Sequence, residues 1–241
     1  MGRYVARRAV QGVVVLFGVS VIVFLLMHLA GDPVAVLLPL DTPPEQIDAF
    51  RQEMGFDRPL PIQYLRFLSR ALRGDFGYSY HYRTDAMQIV LGRMPATLKL
   101  TFAALFVALV VAVPAGVVAA LRQGKISDTI VRMAVLLGQA VPGFWLALML
   151  MLLFGVRLRW LPVSGSEGWQ SLILPAIVAG SFSMATITRL LRSSLLEILG
   201  QNYIQTARGK GLPERAIITR HGLKNAAIPV ITVIGLQMGW L

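Results

Sequence analysis

The 241-residue chain has no cysteine. That excludes disulfides and any thiolate metal site. Its three histidines, His28, His81 and His221, are too scattered to form a ligand cluster. Charge is sparse, at 15% of residues, and acids are scarcer than bases: 12 Asp and Glu against 23 Lys and Arg. No G-x-x-x-x-G-K-S/T run is present, so the chain is not expected to hydrolyse ATP itself. Ser164 and Ser166 sit in a Gly-rich stretch with no histidine placed to act as a base. No catalytic residue, cofactor site or metal site is therefore assigned. What the chain has in abundance is apolar side chains, at 56%, with a mean hydropathy of +0.65. That is too apolar for an ordinary soluble domain, and the pattern predicts an all-α polytopic membrane protein.

Five apolar segments are expected to span. Met1 to Arg8 is short and basic, and Ala9 to Leu29 follows uncharged, long enough to cross a bilayer. It is too long for most signal-peptide cores, and His28 to Pro33 is a poor cleavage site, so residues 1–30 read as an uncleaved first helix. Residues 31–95 are polar and hold eight of the twelve acids, among them Asp32, Asp41 and Asp57. Thr42-Pro43-Pro44-Glu45 predicts a helix capped by Thr42 and stopped at Gly55. A second amphipathic segment runs to about Arg73. Residues 96–241 hold the remaining spans, near 98–121, 129–154, 172–191 and 228–241, the last cut short at Trp240-Leu241.

Charge sets the orientation. With the N-terminus inside, the inner segments carry thirteen basic residues against three acids, Asp128, Glu197 and Glu214. This is the positive-inside pattern. It accounts for the net charge of +11 without nucleic acid, and it puts residues 31–95 outside.

The most informative stretch is Asn202 to Pro229, a polar, basic insert between two apolar segments. Tyr203 to Lys210 predicts a short helix. Gly211 is suited to a positive φ that ends it. Pro213 and Glu214 suit the first turn of a second helix, expected to reach about Asn225. The result is a helix-turn-helix with Arg208, Lys210, Arg215, Arg220 and Lys224 facing water.

This stretch resembles the EAA loop of the membrane subunits of ABC importers, in the form used by the dipeptide/oligopeptide/nickel permease family. Gln205-Thr206-Ala207 falls on the EAA triplet, Gly211 on its glycine and Leu223 on its late apolar position. Gln205 replaces Glu, Thr206 replaces Ala, and Lys224 stands where other importers have Pro. Four other pieces are similar to that family: Arg7-Arg8 with the helix ending in Gly31-Asp32-Pro33, Gly55-Phe56-Asp57-Arg58-Pro59, Gly74-Asp75-Phe76-Gly77, and Gln139-Ala140-Val141-Pro142-Gly143-Phe144-Trp145. The likeness runs from Arg7 to Gly239.

The resemblance implies an ABC importer type I transmembrane fold in a bacterial or archaeal plasma membrane. It implies a cytoplasmic ATPase carrying ATP and Mg, a second homologous permease subunit and an extracytoplasmic solute-binding protein as partners, besides the lipid bilayer. It implies that residues 202–227 couple to the ATPase, through Tyr203, Gln205, Thr206, Ala207, Arg208, Lys210, Gly211 and Leu212. Members of the family continue to a sixth helix, so the C-terminal end is expected to be missing. The solute is expected to be a peptide, glutathione or nickel.

A transport path needs polar groups at membrane depth and helices that bend. Gln139, Pro142, Ser181, Ser183 and Thr186 are the candidates. The competing reading is that these small and hydroxyl residues only pack helix against helix. The alternative function is a membrane scaffold or insertion protein whose basic loop binds lipid or RNA.

Overall fold

The computed structural model describes every residue except 30, 32–33, 35–37, 39–41, 80, 166–167 and 240–241. Asp32, Pro33, Asp41, Ser166, Trp240 and Leu241, named above, lie outside the described residues. The chain divides into two units, Met1–Arg93 and Met94–Leu241.

The first unit opens with α1 (Gly2–Leu29), which has no buried residue. Its Val, Leu and Phe side chains point outward all round, as expected of a helix whose solvent is hydrocarbon. The helix starts at Gly2, so Arg3, Arg7 and Arg8 are part of it and do not precede it. Two short helices follow, α2 (Pro44–Met54) and α3 (Leu60–Ala71). Pro43 occupies the N-cap of α2, not Thr42, with Pro44 at the first helical position, where its missing N–H costs nothing. Gly55 closes α2 at φ 74°, as its place in the sequence predicts. The aromatic face of α3 packs on α1: the Tyr64 ring lies 5.3 Å from Phe24 and 6.0 Å from Phe17. Tyr64 Oη and Ser20 Oγ are 2.8 Å apart, and the His28 ring nitrogens lie 2.8 Å from the Phe24 carbonyl and 3.1 Å from Gln63 Oε1. Ser20 and His28 of α1 thus find partners before they meet lipid. A two-residue antiparallel pair, β1 (Tyr78–Ser79) with β2 (Thr84–Asp85), closes the unit.

The second unit is built on α4 (Ala86–Leu121), whose first residues belong to the first unit. The helix begins at Ala86, well before the expected Leu98, and passes through Pro95 and Pro114. Its buried face carries Ala104, Ala108, Ala112, Gly116 and Ala120. A spacing of four keeps these on one side of the helix, and that side meets α7 (Gln170–Leu199). The approach is close: a Cβ at Gly180 of α7 would lie 2.6 Å from the Ala104 carbonyl oxygen, and one at Gly116 3.1 Å from that of Thr188. Small residues are what permit such backbone contact in a membrane.

Between these helices stand α5 (Ile126–Ala140) and α6 (Gly143–Leu150), the latter continuing as π-helical turns over Met151–Arg157. One span was expected over 129–154. The structure breaks it at Val141-Pro142 with a bend of 101°. Proline drives the residue before it out of the helical region, and Val141 is extended at φ −74°, ψ 122°.

Helix α7 also outruns its expected end at Leu191, because Leu195 and Leu199 continue its apolar stripe. The chain then forms α8 (Asn202–Gly209), a turn, α9 (Glu214–Ala216), π-helical turns over Ile217–Leu223, and α10 (Lys224–Met238). The second helix of the basic stretch therefore does not end near Asn225 but runs straight on. Ala112, Ala120, Ile187, Leu191, Leu195, Ala226 and Val230 form the core that joins α4, α7 and α10. Among the described residues, α1, α4 and α7 are each long and apolar enough to cross a membrane, and the bent pair α5–α6 makes a fourth if counted as one.

Candidate functional site

The basic stretch is fixed from beneath. Ile204 and Ile217 are fully buried and Ala207 nearly so, and they pack together against Leu199. Ile204 and Ala207 are three apart, so they face the same way on α8. Tyr203, Gln205, Thr206, Arg208, Lys210, Gly211 and Leu212 are exposed. The structure thus brings the sequence-predicted residues together in one helix and turn, with Ala207 turned inward and the other seven outward.

The turn is built by backbone geometry. Gly211 sits at φ +75°, and the Gly211 and Leu212 amides donate to the Arg208 and Ala207 carbonyls at 2.9 and 3.3 Å. Across it, Arg208 Nε donates to Glu214 Oε1 at 2.6 Å. That hydrogen bond holds the guanidinium above its ordinary pKa. Both side chains are exposed, so the pair adds direction more than stability. Asn225 Nδ2 donates to Tyr203 Oη at 2.9 Å and ties the start of α8 to the start of α10. Beneath the turn, Gly222 lets α7 come close: a Cβ there would lie 3.0 Å from Leu195 Cδ1.

No atom lies within 4 Å of a Cβ built at Gly211. Gly211→Ala is therefore expected to lower stability through backbone strain alone, by about 1–2 kcal/mol, read as the thermal midpoint of the purified protein. A change no larger than that of an exposed helical substitution would argue that the turn relaxes freely.

The five path candidates separate. Gln139, at the end of α5, accepts from Arg189 Nη1 of α7 at 3.0 Å. Pro142 makes the break between α5 and α6. Ser183 is buried and donates to Gln237 Oε1 of α10 at 3.0 Å, so it faces a partner helix. Ser181 and Thr186 donate to carbonyls of their own helix, at Val178 and Phe182. Thr186 lines a cleft of about 600 Å³ together with Arg132, Leu136, Arg189, Arg192 and Val233.

Sequence reasoning missed what anchors that cleft. Asp128, in the first turn of α5, is 1% exposed. Arg192 of α7 donates to it twice, Nε to Oδ1 and Nη2 to Oδ2, both at 2.8 Å. The Gly124 amide donates to Oδ2 at 3.1 Å, and Arg132 Nε lies 3.4 Å from Oδ1. This fork-to-fork pairing is the strong form of a charge-assisted contact. In the sequence, Asp128 and Arg192 read only as charges of the inner segments, and Arg132 as a charge near the start of a span. With 64 residues between Asp128 and Arg192, no local signal couples them.

The geometry is of membrane helices, a buried ion pair between two of them, and a water-facing basic turn. Two family profiles match along the chain. The one described as "Binding-prot-dependent transport system membrane comp, N-term" covers residues 1–101. The one described as "Binding-protein-dependent transport system inner membrane component" covers residues 112–241. The chain belongs to this family. It is a permease component of an ABC importer, a transport subunit and not an enzyme. Among curated proteins it is similar to the "Glutathione transport system permease protein GsiC" of Escherichia coli (strain K12), at 36% identity over 100% of this chain and 79% of the relative. The proteins of the same name from Shigella dysenteriae serotype 1 (strain Sd197) and Shigella boydii serotype 4 (strain Sb227) match with the same identity and coverage.

Proposed function

We propose that the chain is a permease subunit of an ATP-driven importer of peptides or peptide-like solutes, and that residues 202–227 dock on a separate cytoplasmic ATPase. The subunit works beside a second homologous permease and receives solute from an extracytoplasmic binding protein. Its N-terminus is cytoplasmic and five spans cross the membrane. ATP and Mg belong to the partner.

The observation that carries this reading is the mounting of α8. One face is clamped by Ile204 and Ala207 on Ile217 and Leu199, while the other presents an exposed apolar-and-basic edge at Tyr203, Arg208, Lys210 and Leu212. A lipid-binding loop needs charge but no such rigid seat. The seat suits an element that must pass force from a docked protein to the spanning helices. The 36% identity to glutathione permeases supports a peptide-like solute.

Gly209 offers the test. A Cβ there meets no atom within 4 Å, and the chain has no other cysteine. Gly209→Cys, co-expressed with the cognate ATPase carrying one cysteine in its docking groove, is expected to give a disulfide-linked pair whose yield changes with ATP. If both proteins are present in the membrane and no such pair forms, the loop is a lipid- or RNA-binding surface instead.

A further inference from the structure

The cleft between α5, α7 and α10 carries more positive charge than its surroundings compensate. Three guanidinium groups line it, those of Arg132, Arg189 and Arg192. Asp128 is the one carboxylate among the described residues within ion-pair reach of any of them, and both its oxygens are already taken by Arg192. Arg132 keeps half of its side chain exposed. Arg189 has a neutral partner, Gln139 Oε1, which orients it without cancelling its charge. The rest of the lining is mostly apolar, including Val135, Leu136, Leu190 and Val233. Arg132 and Arg189 are both exposed in this wall, so their charge is open to an incoming anion.

The geometry points to an anion site in this cleft, in which the Arg189 guanidinium, aimed by Gln139, receives the carboxylate of the transported solute and Arg132 supplies the second charge. A guanidinium fork fits a carboxylate in two parallel hydrogen bonds. A volume of about 600 Å³ is within the range that holds small solutes. Gln139 and Thr186, picked out from the sequence as path residues, meet here: one holds Arg189 and the other lines the wall. A phospholipid phosphate has the same chemistry. The solute is favoured because three helices line the cleft and because Arg189, in its wall, is held by Gln139, three residues before the break at Pro142.

The inference rests on the proposed permease function, so its test separates the two. The complete transporter, with both permeases, ATPase and binding protein, is reconstituted in vesicles. Uptake is measured for trialanine and glutathione, each as the free acid and as the C-terminal amide. If the unaltered complex takes up neither, the functional reading fails and the inference with it. Where one is taken up, Arg189→Gln is expected to lower the acid-to-amide uptake ratio by about tenfold, the effect of losing one charge-assisted hydrogen-bond pair. Arg189→Lys is expected to keep part of the ratio. The binding protein's own preference is the same in all variants and cancels. An unchanged ratio in Arg189→Gln overturns the site while leaving the permease function intact. So does a loss of both acid and amide uptake that varies with the anionic lipid content of the vesicles, which would assign Arg189 to a lipid phosphate.

Discussion

Asp128→Ala is expected to destabilise the second unit by about 3 kcal/mol, read as a fall in the thermal midpoint of the purified protein. The reason is the charge left behind. Breaking a buried pair by removing one partner typically costs about 3–5 kcal/mol. The lower end applies because Arg192 keeps 21% of its side chain exposed and can reach water. The loss has a second component, since the Gly124 amide gives up its bond to Oδ2, and with it the closure of the turn that leads into α5. The double variant Asp128→Arg with Arg192→Asp restores the pair with its sense reversed and is expected to recover part of the midpoint. Recovery should be incomplete, because Arg132 then faces an arginine and Gly124 loses its acceptor. No recovery at all would mean that the Arg192 contact contributes little and that Asp128 acts through the turn.

Gly180 is the other position where a small change should have a large effect. Its missing Cβ would sit 2.6 Å from the Ala104 carbonyl oxygen. A backbone atom in the middle of a helix cannot swing away like a side-chain tip, so α4 and α7 would have to separate. Gly180→Ala is expected to cost about 1–3 kcal/mol, and Gly180→Leu to prevent the two helices from seating at all. Folded yield and thermal midpoint in detergent measure both. Gly235→Ala in α10 is the control, since nothing lies within 4 Å of its Cβ; it should leave the midpoint unchanged or slightly raised. Equal effects at Gly180 and Gly235 would refute the packing argument.

Much of this architecture was legible in the residues. The helical turn at Gly211, the stop at Gly55 and the disturbance at Pro142 follow from what Gly and Pro permit, and the apolar runs gave the long helices. The boundaries were less legible. Helix α4 begins at Ala86 and passes through Pro95 although residues 91–99 are all exposed, so no burial signal marks its start. Helix α7 reaches Leu199 because Leu195 and Leu199 extend an apolar stripe through residues that read as loop. The severity of the break at Val141 was not legible, since proline in a span gives anything from a slight kink to the 101° bend found here. The ion pair was invisible for a stronger reason. An acid in the first turn of a helix is ordinary dipole chemistry, and only the folded chain shows that Asp128 meets Arg192. Hydroxyl residues carried little information for the same reason: Ser181, Ser183 and Thr186 look alike in sequence, yet one bonds across helices and two bond to their own.

The unbroken course from Glu214 to Met238 has a mechanical corollary. Gly222 rests on Leu195, eight residues from the start of that course and sixteen from its end. Beyond it, Ala226 and Val230 sit in the core and Gln237 accepts from Ser183, so α10 is tied to α7 along its length and a push at the turn is carried by both helices as one body.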